Sequence, residues 1–235
     1  MIRCVLFDAG NTLVHLDYPF IAGVLAEHGH ATTADAIRIA EYAAKAQIDR
    51  ELAPAPPGAT SVEVRMWQPG AERPSYFATV MQGLGVPRDA ARSVLAALET
   101  HNRAECLWRV VEPDTTSVLE ALRARGLVLG VVSNADGRIA RDLARSGLGA
   151  HFGTVIDSHV VGVEKPDPAI FHLALEALGM TAAESLYVGD VFGIDVVGAR
   201  RAGLDAVLLD RLGQYPGDVD CRRIRALSEL FDLLG

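Results

Sequence analysis

From residue 115 onward, short apolar segments alternate with segments of helical periodicity. The apolar segments predict strands at 127–132, 154–156, 186–188 and 206–209. The periodic segments predict helices at 115–125, 137–146, 168–178 and 194–202, and a last helix from Ile224. Strands that alternate with helices in this way predict a parallel sheet with helices on both faces. We therefore expect an α/β chain with a Rossmann-like, three-layer core.

The first predicted strand, at 5–7, is far from the others in sequence. The intervening residues show no strong strand pattern, and their periodicity predicts helices at 21–28, 33–52, 76–84 and 89–107. A segment rich in Pro and Gly at 54–74 predicts a loop. Because the helical block follows the first strand and precedes the others, it is an insertion. We predict a core domain of residues 1–14 and 113–235 and an inserted all-α domain of residues 15–112.

Composition excludes several classes of protein. A chain of 235 residues, 50% of them hydrophobic, suits one domain with an insertion. Its net charge of -8 argues against nucleic acid as the main partner, because phosphate backbones bind basic surfaces. No apolar run approaches the ~20 residues of a membrane span. The three cysteines are odd in number and widely spaced, so we expect no disulfide framework and a reducing, cytoplasmic location.

The basic residues are strongly biased towards arginine. The chain has 20 Arg but two Lys, Lys45 and Lys165. An ammonium is a compact point charge, whereas a guanidinium is a planar fork, so the two are not equivalent at a site that needs a point charge. The bias singles out Lys45 and Lys165 as candidates for such sites.

Polar side chains stand near the carboxyl ends of the predicted strands. The set comprises Asp8, Thr12, Ser133, Asn134, Lys165, Asp190 and Asp195. Each has a simpler interpretation as a turn, cap or surface residue. Ligands of parallel α/β sheets bind at the carboxyl ends of the strands. The occurrence of all seven there therefore favours one common site.

The combination resembles the haloacid dehalogenase superfamily, a group of hydrolases with an aspartate nucleophile. Residues 8–12 resemble its first motif, Ser133 the second, Lys165 the third, and Gly189-Asp190 with Asp195 the fourth. The helical insertion resembles the cap domain of one branch of the family. The acidic pair at 190 and 195 is similar to that of magnesium-dependent phosphatases rather than metal-free dehalogenases. The resemblance implies a hydrolase that acts on a small phosphorylated metabolite.

Phosphoryl transfer needs a nucleophile and positive charge on the phosphate oxygens. We expect Asp8 to attack phosphorus and form an aspartyl-phosphate. Clustered carboxylates repel unless a cation lies between them, so we expect Asp8 and Asp190 to bind Mg²⁺ through hard oxygen ligands. The resemblance implies that the Gly10 carbonyl is a third ligand. We expect Asp195 to bind the ion or its waters.

The remaining candidates are expected to hold substrate. Lys165 would neutralise both Asp8 and the phosphate. Ser133, Asn134 and N–H groups of the turn after Asp8 would hold phosphate oxygens. Thr12 belongs to the same candidate set, although we expect it mainly to brace that turn.

Gly10 departs from the pattern of the resemblance. Typical phosphatases of the family carry a second Asp at this position, which protonates the leaving oxygen and later deprotonates the attacking water. Glycine can do neither, and general acid–base catalysis contributes roughly 10²–10⁴ in rate. We therefore expect weak or restricted activity, best on acyl or aryl phosphates. His15 and Asp17 are candidates to take over this role, but we expect both to lie on a solvated loop.

Two other functions stay open. The first is a hydrolase of C–P or C–halogen bonds, although the acidic pair at 190 and 195 disfavours a dehalogenase. Phosphonate hydrolases of the family also lack the second Asp and use a cap lysine as a Schiff base, which would here be Lys45. Glu41 and Asp49, four residues to either side, instead predict a solvated ion-pairing face for this lysine. The other alternative is a non-catalytic binding protein on a hydrolase scaffold.

Overall fold

The structure is a computed structural model that describes residues 1–52, 76–216 and 219–234. The loop predicted at 54–74 lies outside these residues. The strands are β1 (Cys4–Phe7), β2 (His15–Leu16), β3 (Trp108–Val110), β4 (Val128–Ser133), β5 (Thr154–Asp157), β6 (Ser185–Gly189), β7 (Asp205–Leu209) and β8 (Arg222–Ile224). The helices are α1 (Tyr18–Glu27), α2 (Ala34–Leu52), α3 (Tyr76–Gly83), α4 (Arg88–Ala104), α5 (Thr115–Ala124), α6 (Ile139–Arg145), α7 (Ser158–Val161), α8 (Pro168–Leu178), α9 (Val197–Arg201) and α10 (Leu230–Leu234).

Six strands form one parallel sheet in the order β5-β4-β1-β6-β7-β8. The α/β, Rossmann-like fold predicted from the sequence is therefore confirmed. Within the sheet, Phe7 pairs with Val131 of β4 and with Val188 of β6. The residues that follow β1 and β6, and those at the end of β4, consequently meet at one edge of the sheet.

Burial of the first strand explains its apolar sequence. Cys4, Val5, Leu6 and Phe7 are all 0% exposed, because β1 lies between β4 and β6. A strand with neighbours on both sides and helices on both faces has no polar face. Full burial of each large apolar side chain contributes about 1.5–3 kcal/mol.

The helix predictions agree with the structure to within a few residues, whereas short strands were missed. The strands β2, β3 and β8 have two or three residues each, too few to show a period of two. Arg222–Ile224 forms β8, so the last helix predicted from Ile224 starts too early. A 3₁₀ turn at Leu227–Glu229 precedes α10.

The chain divides into two compact units. Among the described residues, one contains Met1–His15 and Arg109–Gln214 together with the C-terminal segment, and the other contains Leu16–Trp108 together with Tyr215. The second unit has its own buried core, formed by apolar side chains of α1 to α4. No helix in the described ranges is long and apolar enough to cross a membrane.

Candidate active site

A tight turn follows β1 and places Asp8 at the edge of the sheet. The Asp8 N–H donates to the Val188 carbonyl at 2.8 Å and so continues the pairing with β6. The Ala9 carbonyl accepts hydrogen bonds from the N–H groups of residues 12–14. Asn11 has a φ of 54°, in the left-handed region that asparagine tolerates better than most residues. This backbone conformation turns the chain just beyond Asp8.

Lys165 brings the first and fourth motifs together. Its side chain is 2% exposed, and its Nζ donates to Asp8 Oδ1 at 2.6 Å, to Asp195 Oδ1 at 2.8 Å and to Tyr187 Oη at 2.9 Å. An ammonium has three N–H donors, so these acceptors use all of them. The lysine therefore cross-links three residues distant in sequence.

Asn134 fixes the backbone of the same lysine. Its Oδ1 accepts from the Lys165 N–H at 2.7 Å, and its Nδ2 donates to the Lys165 carbonyl at 2.9 Å. Both ends of the amide thus bind one peptide segment. The observed contacts show that Asn134 holds the backbone of Lys165 in place. A contact of Asn134 with the substrate stays a prediction.

Gly189 makes room for the carboxylate of Asp195. A Cβ at position 189 would lie 2.3 Å from Asp195 Cγ. Asp195 Oδ2 accepts from the backbone N–H groups of Asp190 at 3.0 Å and Val191 at 2.9 Å. With the contacts to Lys165 and Tyr187 at Oδ1, both oxygens of Asp195 are hydrogen-bonded. This carboxylate is an anchor of the site.

The carboxylates of Asp8, Asp190 and Asp195 offer ligand atoms that all lie within 4.8 Å of one another, and all three residues are buried. Buried charges need compensation. The ammonium of Lys165 supplies one positive charge against three carboxylates. A divalent cation with hard oxygen ligands fits the remaining charge and the chemistry of the donors.

The pKa values of the site residues reflect this imbalance of charge. Burial raises the pKa of Asp8 to about 7; Lys165 opposes the rise, and Asp195 and Asp190 reinforce it. Burial alone would lower the pKa of Lys165, but the charges of Asp195 and Asp8 raise it above its ordinary value. Burial and the same carboxylates raise the pKa of Tyr187 well above its usual range, so its hydroxyl stays protonated at neutral pH.

Ser133 and Thr12 lie at the same sheet edge. Ser133 ends β4 and is 4% exposed. Thr12 is fully buried, and within the described residues its Oγ1 has no hydrogen-bond partner. The Thr12 side chain can therefore stabilise the turn only through packing. The hydrogen bonds of the turn are accepted by the Ala9 carbonyl.

Two expectations for residues outside the motifs are wrong. His15 is 5% exposed and lies in β2 rather than on a solvated loop. Lys45 is 3% exposed and Glu41 is 1% exposed, so their helix face is buried and not solvated. Lys45 Nζ lies 3.3 Å from Glu41 Oε1, and Glu41 also accepts hydrogen bonds from the hydroxyls of Tyr18 and Tyr76.

Asp17, the other residue considered for the role of proton donor, is the N-cap of α1. Its side chain accepts a hydrogen bond from the Phe20 N–H.

Tyr187 is the site residue that the sequence analysis missed. It lies in β6, is 0% exposed and places its hydroxyl on Lys165. The available signal was a hydroxyl in an otherwise apolar strand, two residues before Gly189 and thus on the same face of the strand. Buried tyrosine hydroxyls usually have a hydrogen-bond partner.

Comparisons with known proteins agree with the fold and with the family resemblance. A model of the haloacid dehalogenase-like hydrolases matches residues 2–203. The phosphoserine phosphatase of Thermus thermophilus is 31% identical, over 97% of this chain and 98% of that protein. The glyceraldehyde 3-phosphate phosphatase of Methanopyrus kandleri is 31% identical, over 92% of this chain and 86% of that protein. A crystal structure of a phosphatase of this family from Thermococcus onnurineus matches with a TM-score of 0.61 and 26% identity. The match covers 100% of this chain and 98% of that chain.

The chain belongs to the haloacid dehalogenase-like hydrolases. It is therefore a hydrolase, which confirms the enzyme class predicted from the sequence.

Proposed function

We propose that the chain is a Mg²⁺-dependent phosphatase that hydrolyses a small phosphorylated metabolite through an aspartyl-phosphate on Asp8. The observation that carries the proposal is the buried cluster of Asp8, Asp190 and Asp195 with Lys165 as its ammonium. Relatives named as phosphatases of phosphoserine and glyceraldehyde 3-phosphate support a small substrate. Neither of these substrates is assigned to this chain.

Different residues would act as the nucleophile, balance its charge and bind the phosphate oxygens. Asp8 supplies the nucleophilic carboxylate, which attacks phosphorus while the bond to the leaving oxygen breaks. Lys165 holds that carboxylate and balances its charge. The N–H groups of Ala9 and Gly10 have no hydrogen-bond acceptor among the described residues. These groups and the Ser133 hydroxyl are the proposed donors to phosphate oxygens.

Magnesium, when bound, supplies positive charge for the phosphate oxygens. Asp8 and Asp190 would hold it through carboxylate oxygens, and Gly10 through its carbonyl. Asp195 would act on the ion mainly through its neighbours, because its oxygens already accept hydrogen bonds from the chain. A carboxylate that holds the residues around a metal in this way orients the direct ligands.

Gly10 limits the range of substrates. No side chain at this position donates a proton to the leaving oxygen, and Asp17 is engaged at the N-terminus of α1. Leaving groups that depart as stable anions need no such proton. We therefore propose acyl and aryl phosphates as the better substrates, and slow hydrolysis of alkyl esters.

The helical unit is proposed to act as a cap that selects the substrate. Its predicted limits, residues 15–112, differ by a few residues from the compact segment Leu16–Trp108. The alternative of a phosphonate hydrolase would need Lys45 as an uncharged nucleophile. Its contact with the carboxylate of Glu41 stabilises the charged ammonium instead, so the phosphatase is favoured.

Hydrolysis of acetyl phosphate, p-nitrophenyl phosphate, phosphoserine and glyceraldehyde 3-phosphate, each with Mg²⁺ and with EDTA, tests the proposal. We expect turnover with Mg²⁺, loss of turnover with EDTA, and loss in Asp8→Asn. Beryllofluoride, a mimic of the acyl phosphate, should bind the wild type only with Mg²⁺ and should not bind Asp8→Asn. Failure of the wild type to bind beryllofluoride and to hydrolyse any ester would favour a non-catalytic binding protein.

A further inference from the structure

The ammonium of Lys165 lies between two carboxylates and one phenol. Asp8 and Asp195 are charged partners at 2.6 and 2.8 Å, and the Tyr187 hydroxyl is the neutral third partner at 2.9 Å. Two contacts alone would leave the ammonium able to swing about the line that joins its partners. A third contact removes that freedom and locates the charge.

The Tyr187 hydroxyl is itself held in place. Besides accepting from Lys165, it lies 3.0 Å from the Val132 carbonyl and 3.2 Å from Asp195 Oδ1, so its one proton has an acceptor on β4 or in the fourth motif. The ring packs edge-on against Phe171 of α8, with centroids 5.0 Å apart. Because its backbone belongs to β6 and its hydroxyl is hydrogen-bonded at the far end of the ring, the hydroxyl is a fixed reference point for a flexible lysine side chain, and the contact with Phe171 adds packing energy rather than position.

We propose that Tyr187 is a positioning residue that fixes the Lys165 ammonium against Asp8 and Asp195. Its catalytic consequence rests on the proposed phosphatase function, whereas the placement of the lysine does not. The residue touches no reacting atom, and its effect on the reaction passes through Lys165. The hydroxyl, rather than the ring, carries this task.

Tyr187→Phe tests the role because it removes the hydroxyl and keeps the ring. We expect kcat for acetyl phosphate to fall roughly 10- to 100-fold, the range known for residues that orient a functional group, with KM changed little. Phe171→Leu is the matched control, since it loosens the packing of the ring and leaves the hydroxyl in place. It should lower the melting temperature and change kcat much less than Tyr187→Phe.

A second measurement reports the position of Lys165 without any turnover. The chain contains two lysines, so protein labelled with ¹⁵N-lysine gives two ammonium resonances, and Lys45→Arg assigns them. A buried, fully hydrogen-bonded ammonium exchanges its protons slowly. We expect a sharp Lys165 resonance in the wild type and in Phe171→Leu, and a shifted or broadened one in Tyr187→Phe.

Each outcome has a distinct meaning. A change in both the resonance and kcat of Tyr187→Phe supports the proposal. If the resonance and kcat of Tyr187→Phe match those of the wild type, or if Phe171→Leu produces the same changes, the positioning role is wrong. If the wild type hydrolyses nothing but the resonance still changes in Tyr187→Phe, the phosphatase proposal fails and the positioning of Lys165 stands.

Discussion

The carboxylate of Asp195 occupies the space into which a side chain at Gly189 would project, with a Cβ at position 189 only 2.3 Å from Asp195 Cγ. The atoms nearest this position belong to the inner part of the aspartate side chain, which cannot move aside without breaking its contacts with Lys165 and the backbone. Glycine is thus required at the end of β6 by the site and not by a turn.

Gly189→Ala is accordingly expected to displace Asp195 and disturb Lys165. Overpacking of this kind costs about 1–3 kcal/mol of stability, and kcat should fall at least about 10-fold, as for other disturbed orienting groups. Kinetics and urea unfolding measure the two effects. Gly23→Ala in α1 is the control, since a Cβ there meets nothing within 4 Å; it should be neutral or stabilising by up to ~1 kcal/mol. Wild-type behaviour of Gly189→Ala would contradict the steric argument.

Restoring a carboxylate at position 10 should change substrate preference. Gly10 is not among the residues of positive φ, so its backbone conformation is one that residues other than glycine also adopt. Gly10→Asp is expected to raise turnover of alkyl phosphates by up to roughly 10²-fold, the lower end of general acid–base catalysis, with a smaller gain for acetyl phosphate. The measurement is kcat/KM across leaving groups of different pKa.

Gly10→Asn is the matched control for that experiment, because it has the size of aspartate and no acid. A wild type that hydrolyses alkyl and aryl phosphates equally fast would show that another group already supplies the proton. An equal gain in Gly10→Asn would show that shape rather than proton transfer limits the reaction.

Metal affinity should depend on pH through Asp8. Burial raises the pKa of Asp8 in the metal-free fold from its ordinary value of 3.8 to about 7. The folded state therefore binds more protons than the unfolded state between these values, and Asp8 destabilises the metal-free fold progressively as the pH rises from about 4 to about 7. Because Mg²⁺ must displace the proton, we expect its affinity to fall about tenfold per pH unit below about 7 and to level off above.

Titration calorimetry in buffers of different ionisation enthalpy measures the protons released. Close to one proton should leave at about pH 6 and almost none at about pH 8, as expected for a group with a pKa of about 7. Asp8→Asn should release none at either pH. Equal Mg²⁺ affinity of the wild type at both pH values would contradict this assignment.

Stability of the helical unit should depend on the buried pair of Glu41 and Lys45. Glu41→Ala removes the carboxylate that Lys45, Tyr18 and Tyr76 contact, and breaking a buried ion pair costs about 3–5 kcal/mol. Urea unfolding measures the loss. Glu99→Ala in α4 is the control, since the side chains of its pair with Arg103 are 37% and 78% exposed; it should cost at most about 0.5 kcal/mol. A similar cost for both variants would contradict the inferred importance of the buried pair.

Lys45 shows why a local pattern can mislead. Its spacing from Glu41 fits both an exposed ion pair and a buried one, because a period of four residues places two side chains on one face without saying what covers that face. Packing among α1, α2 and α3 buries this face, as the contacts of Glu41 with Tyr18 and Tyr76 show.

The sequence by itself determined the α/β class, the helical insertion and the polar side chains at the strand ends. These follow from local periodicity and from the rule that parallel strands present their carboxyl ends at one edge. Only the tertiary structure decided how the side chains pair. Lys165 contacts Asp8 across 157 positions of sequence and shares Tyr187 with Asp195. Such contacts depend on strand order and register, which local patterns do not encode. For that reason, only the fold revealed that the Tyr187 hydroxyl contacts Lys165 and that the Asp195 carboxylate occupies the space next to Gly189.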